Sequence, residues 1–252
     1  MLWYRCWLET RWRFLIGLGI MATSAASTVL TYPEVLELMP LASSVNIDGE
    51  IGRRISESVA ISNTYGGYLW SNLFDQNLTQ MGTLFEVLLG TAGPLSHASG
   101  HGTLFMLSLP VSRNRLFYVR AATGLIELLL LALVPSLLVI LFSPAIAQSF
   151  ALTDSLVYGL CLFLVATLFF SFALLLSTVF ADVWRPLLIT CVIAFIMAMV
   201  SFALDTWSIF TVMSGENYFR VGSPPWLGLL FSVILSVMLL YGAAYNLASR
   251  DF

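Results

Sequence analysis

Two histidines four residues apart, His97 and His101, are the pair in this chain whose type and spacing most resemble a metal or catalytic site. On a helix this spacing would bring both imidazoles to one face, where they would suit a zinc ion, with Ser99 between them as a nucleophile. The zinc-protease pattern requires a glutamate directly after the first histidine, and Ala98 occupies that position. The pattern therefore favours polar surface residues and predicts no metal site. A membrane-interface hydrolase using Ser99 and His101 is the less favoured alternative.

A second group of polar residues recurs at helical spacing inside a hydrophobic span. Asp75, Thr79, Gly82, Glu86 and Gly90 follow one another at steps of three or four residues, which would place them on one helical face. Ionisable groups at membrane depth are costly and usually face a bundle interior or an aqueous cavity. We interpret this region as a wall of a translocation pathway, with hydrogen bonding between helices as the alternative. The residues assigned to the pathway are Asn72, Asp75, Gln76, Thr79, Thr83 and Glu86.

Glu127 is a third intramembrane carboxylate. It follows Arg120 by seven residues, which puts the two side chains on one helical face and predicts that they pair. An alternative function uses the same chemistry, because a proton-coupled secondary transporter needs a carboxyl group that takes up and releases protons. Asp75, Glu86 and Glu127 are its candidates.

The elements that position these residues follow from the composition. The 252 residues are 59% hydrophobic and 10% charged, with a mean hydropathy of +0.90, whereas about a quarter of the residues of a soluble domain are charged. The chain must therefore use lipid as its solvent. Its net charge of −3 is small and no basic tract is long, so nucleic acid is not an expected partner.

The hydropathy pattern predicts an all-α polytopic membrane protein with one transmembrane domain over residues 1–252. Residues 1–13 mix tryptophan with arginine, which is typical of an interfacial elbow helix. A signal peptide is the alternative for this end of the chain. The six predicted spans are at about residues 14–32, 68–92, 121–142, 156–180, 186–204 and 226–247.

The arginines predict the orientation of these spans. With the amino terminus inside, eight arginines fall in cytoplasmic segments and three in external ones, which agrees with the positive-inside bias. Both termini would then be cytoplasmic. All eleven basic residues are arginine, so the chain lacks the lysine that a P-loop requires. We therefore predict that this chain is not an enzyme and does not hydrolyse ATP by that route.

Residues 93–120 form a predicted cytoplasmic loop with an apolar run from Leu104 to Leu109, too short to cross a bilayer. Pro110 interrupts the run, and Ser112 is a suitable N-cap for a following helix with Arg113 and Arg115 in its first turns. A short amphipathic element of this kind is suited to docking in a groove of a partner protein.

The segment from Gly102-Thr103-Leu104 to Leu107-Ser108-Leu109-Pro110-Val111-Ser112-Arg113 resembles the signature of the membrane subunits of ABC-2 type exporters. The order of features is also similar along the whole chain: an elbow, six spans, a long first external loop and a short polar carboxyl terminus.

The resemblance implies a permease subunit of an ATP-binding cassette exporter in a bacterial cytoplasmic membrane, moving cargo by alternating access. Two copies of a separate ATPase would bind ATP and magnesium, and this chain would bind no cofactor. A second copy of the chain, or a homologous permease, would complete the membrane part, surrounded by lipid. The stretch would contain a coupling helix whose ATPase-docking residues are His101, Gly102, Thr103, Leu104, Phe105, Leu107, Pro110 and Arg113.

Overall fold

The computed structural model of the chain describes residues 2–44, 58–92, 113–180, 182–204 and 208–249. The regular secondary structure in these segments is helical, and none of their residues forms a β-strand. The predicted all-α fold class is therefore confirmed. Helices suit the composition, because a backbone surrounded by hydrocarbon must satisfy its N–H and C=O groups internally.

The helices, in chain order, have the following bounds: α1, Leu2–Ser44; α2, Tyr65–Leu69; a π-helical segment, Trp70–Leu78; α3, Thr79–Gly90; α4, Arg113–Phe142, followed by a 3-10 turn, Ser143–Ile146; α5, Leu152–Val179; α6, Trp184–Leu204; α7, Ile209–Met213; α8, Glu216–Val221; and α9, Trp226–Ser249. The α2 helix, the π-helical segment and α3 follow one another without a gap. We call this unit, residues 65–90, the α2–α3 stretch.

Within the described residues, 5 helices are long and apolar enough to cross a membrane: Leu2–Leu38, Arg115–Ile146, Leu152–Val179, Trp184–Ser201 and Trp226–Ser249. The chain is therefore a multi-pass membrane protein. These helices contain or overlap the first, third, fourth, fifth and sixth predicted spans. The α2–α3 stretch, which corresponds to the second, is not among the five, so the count of six spans and the orientation of the termini stay predictions.

The centre of the bundle is α5, which packs against α3, α4, α6, α7 and α9. Large side chains such as Phe170 and Leu174 are completely buried there. The contact with α3 is close: a Cβ added to Gly90 would lie 2.7 Å from both the backbone oxygen of Phe170 and the Cβ of Ala173. Small residues allow helix backbones to approach in this way in membranes, where the hydrophobic effect does not drive helix association.

The first helix differs from the expectation at its amino-terminal end. α1 continues without interruption through residues 2–13 into the first span, so a separate elbow helix is not confirmed. Cys6 and Thr10 of this region are buried, and Arg120 of α4 donates a hydrogen bond to the backbone oxygen of Cys6 at 3.3 Å. Packing against α4 therefore stabilises the helical continuation of α1 at these residues, which were expected to lie among lipid headgroups.

Candidate functional site

The α2–α3 stretch carries the residues predicted to line the translocation pathway, and the structure places them on different sides of the helix. One side is open to the surroundings of the chain, an intermediate zone is half-buried, and the opposite side packs into the bundle. Asp75, Gln76 and the neighbouring Gln80 are exposed, Asn72 and Thr83 are half-buried, and Thr79 and Glu86 are buried.

The π-helical segment explains why Asp75 departs from the predicted face. Hydrogen bonds in a π-helix join residues five apart, so each residue turns the chain by less than it does in an α-helix. The face predicted from α-helical spacing therefore shifts across this segment. The Thr79 hydroxyl, at the end of this segment, donates to the backbone oxygen of Phe74 at 2.7 Å. The prediction that Asp75 shares a face with Thr79, Gly82 and Glu86 is therefore wrong, whereas the other three lie together on the buried side.

Glu86 is a buried carboxyl group in an apolar environment. The residue is 1% exposed, and its Oε2 has no hydrogen-bond partner among the described residues. Gly82 lies beside this carboxyl group. A Cβ added to Gly82 would lie 3.1 Å from Oε1 of Glu86, 3.6 Å from the methyl carbon of Met213 and 3.8 Å from the methyl carbon of Met21. Burying an ionised carboxylate without a partner is costly. A residue that only filled space at this position would be apolar, so packing alone does not account for Glu86.

A short hairpin formed by α7 and α8 covers the π-helical segment. The Trp70 ring stacks on Phe219, with ring centroids 4.5 Å apart and an interplanar angle of 1°. The indole N–H of Trp70 donates to the backbone oxygen of Ser214 at 3.1 Å. The hairpin also reaches α3, where the Thr83 hydroxyl lies 3.9 Å from the sulfur of Met213. The hairpin therefore contacts both halves of the stretch that carries the predicted pathway residues.

Tyr218 joins this hairpin to the start of α5. Its hydroxyl donates to Oδ1 of Asp154 at 2.8 Å, and its ring packs edge-on against Tyr158. The hydrogen bond to Asp154 raises the pKa of Tyr218, because loss of the proton would break the bond and place two negative charges side by side.

Two arginines bind the carboxyl-terminal end of α3. Nη1 of Arg13, from α1, donates to the backbone oxygen of Leu88 at 3.0 Å. Nη2 of Arg120, from α4, donates to the backbone oxygen of Leu89 at 3.1 Å. The last carbonyl groups of a helix lack partners within the helix and carry partial negative charge, so cations stabilise this end. The carboxyl-terminal end of α3 is thus hydrogen-bonded to both α1 and α4.

Thr10 links the buried charges of α4. Its hydroxyl donates to Oε1 of Glu127 at 2.6 Å, and Nη1 of Arg120 lies 3.5 Å from the same hydroxyl oxygen. The predicted pairing of Arg120 with Glu127 is indirect: Thr10 lies between them in the hydrogen-bond network, while their opposite charges attract each other. Nε of Arg120 and Oε2 of Glu127 are both buried, with no hydrogen-bond partner among the described residues.

Sequence reasoning missed Arg13, Thr10 and Cys6 as members of this network, since it assigned them to a separate interfacial helix. The signal that pointed to Arg120 and Glu127 was their charge within an apolar region. Thr10 gave no such signal, because a threonine near tryptophans and arginines is ordinary at a membrane interface. Their association depends on the packing of α1 against α4, which spacing along the chain does not reveal.

The residues predicted to dock an ATPase lie outside the described part of the chain, except Arg113, the first residue of α4. The same holds for His97, Ser99 and His101, so the docking and hydrolase hypotheses stay predictions. Among the residues that the structure describes, no group of three or more His, Cys, Asp or Glu side chains is placed to hold a metal ion.

Comparisons of the chain with protein-family models, with curated proteins and with solved structures find no match.

Proposed function

We propose that this protein is the membrane-embedded permease subunit of an ABC-2 type exporter, with six spans, cytoplasmic termini and a place in a bacterial cytoplasmic membrane. The observation that carries the proposal is the exposed polar face of the α2–α3 stretch: Asp75, Gln76 and Gln80. This face belongs to a helical unit that packs against α1 and α5, both of which are long and apolar enough to span a membrane.

Lipid is a poor solvent for that face. Translocon-based scales place the cost of an aspartate at the centre of a membrane helix at about 2.5–3.5 kcal/mol. Such side chains normally face water or another protein. A pathway formed between two copies of the chain would supply both surroundings, since each copy would contribute one α2–α3 stretch to a shared aqueous cavity.

The carboxyl-terminal end of α3 supports coupling to a separate ATPase. It leads into residues 93–112, where the predicted docking loop lies. Arg13 and Arg120 bind the last turn of α3 to α1 and α4. A displacement of the loop, driven by ATP hydrolysis in the partner, would therefore be passed to α3, which carries the exposed polar face, and to the two helices bound to its end.

Purification of the complex from its natural host tests the proposal. We expect an ATPase subunit to co-purify, and the reconstituted complex to transport cargo only when ATP is present. A variant with Leu104→Asp and Phe105→Asp should lose the ATPase while the chain still assembles in the membrane. Transport by the purified chain alone would refute the proposal.

Proton-coupled transport is the second candidate, and Glu86 is the observation that favours it. A buried carboxyl group whose Oε2 has no partner is suited to binding a proton, because protonation removes the cost of burying the charge. Under this candidate, transport would continue without ATP, would collapse when the proton gradient is dissipated, and would be lost in Glu86→Gln. ATP-dependent transport that is insensitive to an uncoupler would exclude it.

A further inference from the structure

The exposed face of the α2–α3 stretch has a single sign of charge. Its outward side chains near the hairpin are the carboxylate of Asp75 and the carboxamides of Gln76 and Gln80. No lysine, arginine or histidine occurs between residues 65 and 92. On this face a ligand therefore meets hydrogen-bonding groups and one negative charge, with no cation supplied by the same helix.

The hairpin does not neutralise Asp75 either. Among the described residues, the charged group that acts on Asp75 is Glu216, another carboxylate, and the side chain beside it is that of Ser214. The cation nearest to Glu216 in the chain, Arg220, is already bound to it, with 2.6 Å between Nε and Oε1. The electrostatic field at this point of the face is therefore negative.

Four other arginines of the described chain are engaged elsewhere. Arg13 and Arg120 donate to carbonyl oxygens at the opposite end of the stretch. Arg185 pairs with Asp182 at 2.9 Å, and Arg5 lies 3.9 Å from Glu9. Within the part of the chain that the structure describes, no cation is thus seen to compensate Asp75, and an anionic ligand would be repelled there, which is a basis for discrimination between ligands of opposite sign.

The other part of the same side is apolar. Met81 is 42% exposed and Leu84 is 44% exposed, within two turns of Gln80. A ligand that lies along the stretch therefore encounters a carboxylate and two carboxamides first and an apolar surface next. This order suits a molecule with a charged centre and an apolar body.

We propose that this face binds lipophilic cations as cargo, with Asp75 as the counter-charge, Gln76 and Gln80 as hydrogen-bonding groups, and Met81 and Leu84 as the apolar contact. The claim that these cations are transported rests on the proposed function. The binding preference itself is a property of the chain and is testable without an ATPase.

Two probe ions of nearly the same shape and opposite charge, tetraphenylphosphonium and tetraphenylborate, allow a direct test. Binding is measured by equilibrium dialysis against the full chain in lipid nanodiscs, with empty nanodiscs to subtract partitioning into lipid. We expect saturable binding of the phosphonium and none of the borate. Asp75→Asn should weaken phosphonium binding by about tenfold or more, since a tenfold change corresponds to about 1.4 kcal/mol, and Asp75→Glu should restore it.

Two further variants separate the site from general charge effects. Glu34→Gln removes one exposed negative charge from α1 and should leave binding unchanged. Gln80→Glu adds a carboxylate to the proposed face and should tighten phosphonium binding, which keeps the test decisive if Asp75→Asn fails to fold.

Equal binding of the two ions, or phosphonium binding that is the same in Asp75→Asn and wild type, would overturn the inference. The result is independent of the exporter assignment. If no ATPase associates with the chain but the two ions are still distinguished through Asp75, the transport proposal fails and the cation site stands. If ATP-driven transport is found and the two ions are not distinguished, the transport proposal stands and the cation site fails.

Discussion

At the scale of single residues, Thr10 is the side chain that lies between two buried charges. Its hydroxyl donates to Glu127 and lies within reach of Arg120. Thr10→Val preserves the shape and removes these interactions. Hydrogen bonds between membrane helices contribute about 0.6 kcal/mol on average. We expect a larger fall in the free energy of unfolding, about 1–3 kcal/mol, because here a buried charged acceptor loses its partner. Unfolding in mixed detergent micelles provides the measurement.

Thr23→Val is the matched control. Thr23 is an exposed threonine of the same helix, and its hydroxyl donates at 2.7 Å to the backbone oxygen of Gly19, one turn earlier. Its removal should change the free energy of unfolding by a few tenths of a kcal/mol, about the size typical of surface substitutions. Equal losses in the two variants would show that Thr10 does not stabilise the charges of α4.

Arg120 has a role that lysine cannot reproduce. Its guanidinium group reaches Cys6 of α1 through Nη1 and Leu89 of α3 through Nη2, whereas a lysine ammonium is a single compact donor centre. In the proposed exporter complex, Arg120→Lys should reduce transport per ATP hydrolysed by about tenfold, while the ATPase still binds. That factor corresponds to loss of one interaction of about 1.4 kcal/mol.

The ratio of transport to hydrolysis is the measurement for Arg120, and Arg115→Lys is its control. Arg115 lies near the start of the same helix and is exposed, so its replacement should leave the ratio unchanged. A normal ratio in Arg120→Lys would mean that the end of α3 transmits movement without this arginine.

At the scale of helices, the position of α3 depends on its contact with α5 at Gly90. Gly90→Ala places a methyl group 2.7 Å from a backbone oxygen and from Ala173, and backbone atoms cannot move aside as a flexible side chain would. We expect a loss of about 1–3 kcal/mol in the free energy of unfolding, the range typical of overpacking. Gly19→Ala is the control, since nothing lies within 4 Å of its added Cβ. A wild-type unfolding transition for Gly90→Ala would contradict the close packing of these two helices.

Most spans could be predicted from hydropathy, because the composition of a membrane helix is set by the lipid around it. The predicted span at 226–247 compares with α9 at Trp226–Ser249, and the one at 156–180 with α5 at Leu152–Val179. The amino-terminal ends of α1 and α4 were less predictable, because each helix continues there through polar residues that bind residues of the other helix. The π-helical segment left no clear pattern in the sequence, because it depends on which backbone groups pair.

At the scale of the whole molecule, the chain has two kinds of exposed surface. α6 and α9 expose large apolar side chains such as Phe195 and Leu230, which suit lipid. The α2–α3 stretch exposes Asp75, Gln76 and Gln80, which do not. The sequence predicted that this stretch is polar, but it could not show which polar residues point outward, since that depends on the π-helical segment and on the packing of α3 against α5.

Accessibility to a water-soluble maleimide tests this division. In a variant whose three native cysteines are replaced, Gln80→Cys should react rapidly in the intact membrane, because the proposed aqueous cavity would reach it. Leu230→Cys, in an apolar position that is 57% exposed and that we expect to face lipid, should react at least about tenfold more slowly, because thiolate formation requires water. Equal rates would mean that the two surfaces have the same surroundings.

The π-helical segment Trp70–Leu78 also gives the stretch a built-in capacity for rotation. Each residue of an α-helix turns the chain by about 100°, so relaxation of one π turn into an α turn would rotate everything on one side of it by about that angle relative to the other. Asp75 would then swing from the open side towards the line of Thr79 and Glu86. A change of backbone hydrogen-bond partners within this segment would thus re-aim the charge of the exposed face and would lengthen the stretch by about 1.5 Å along its axis, the rise of one α-helical residue.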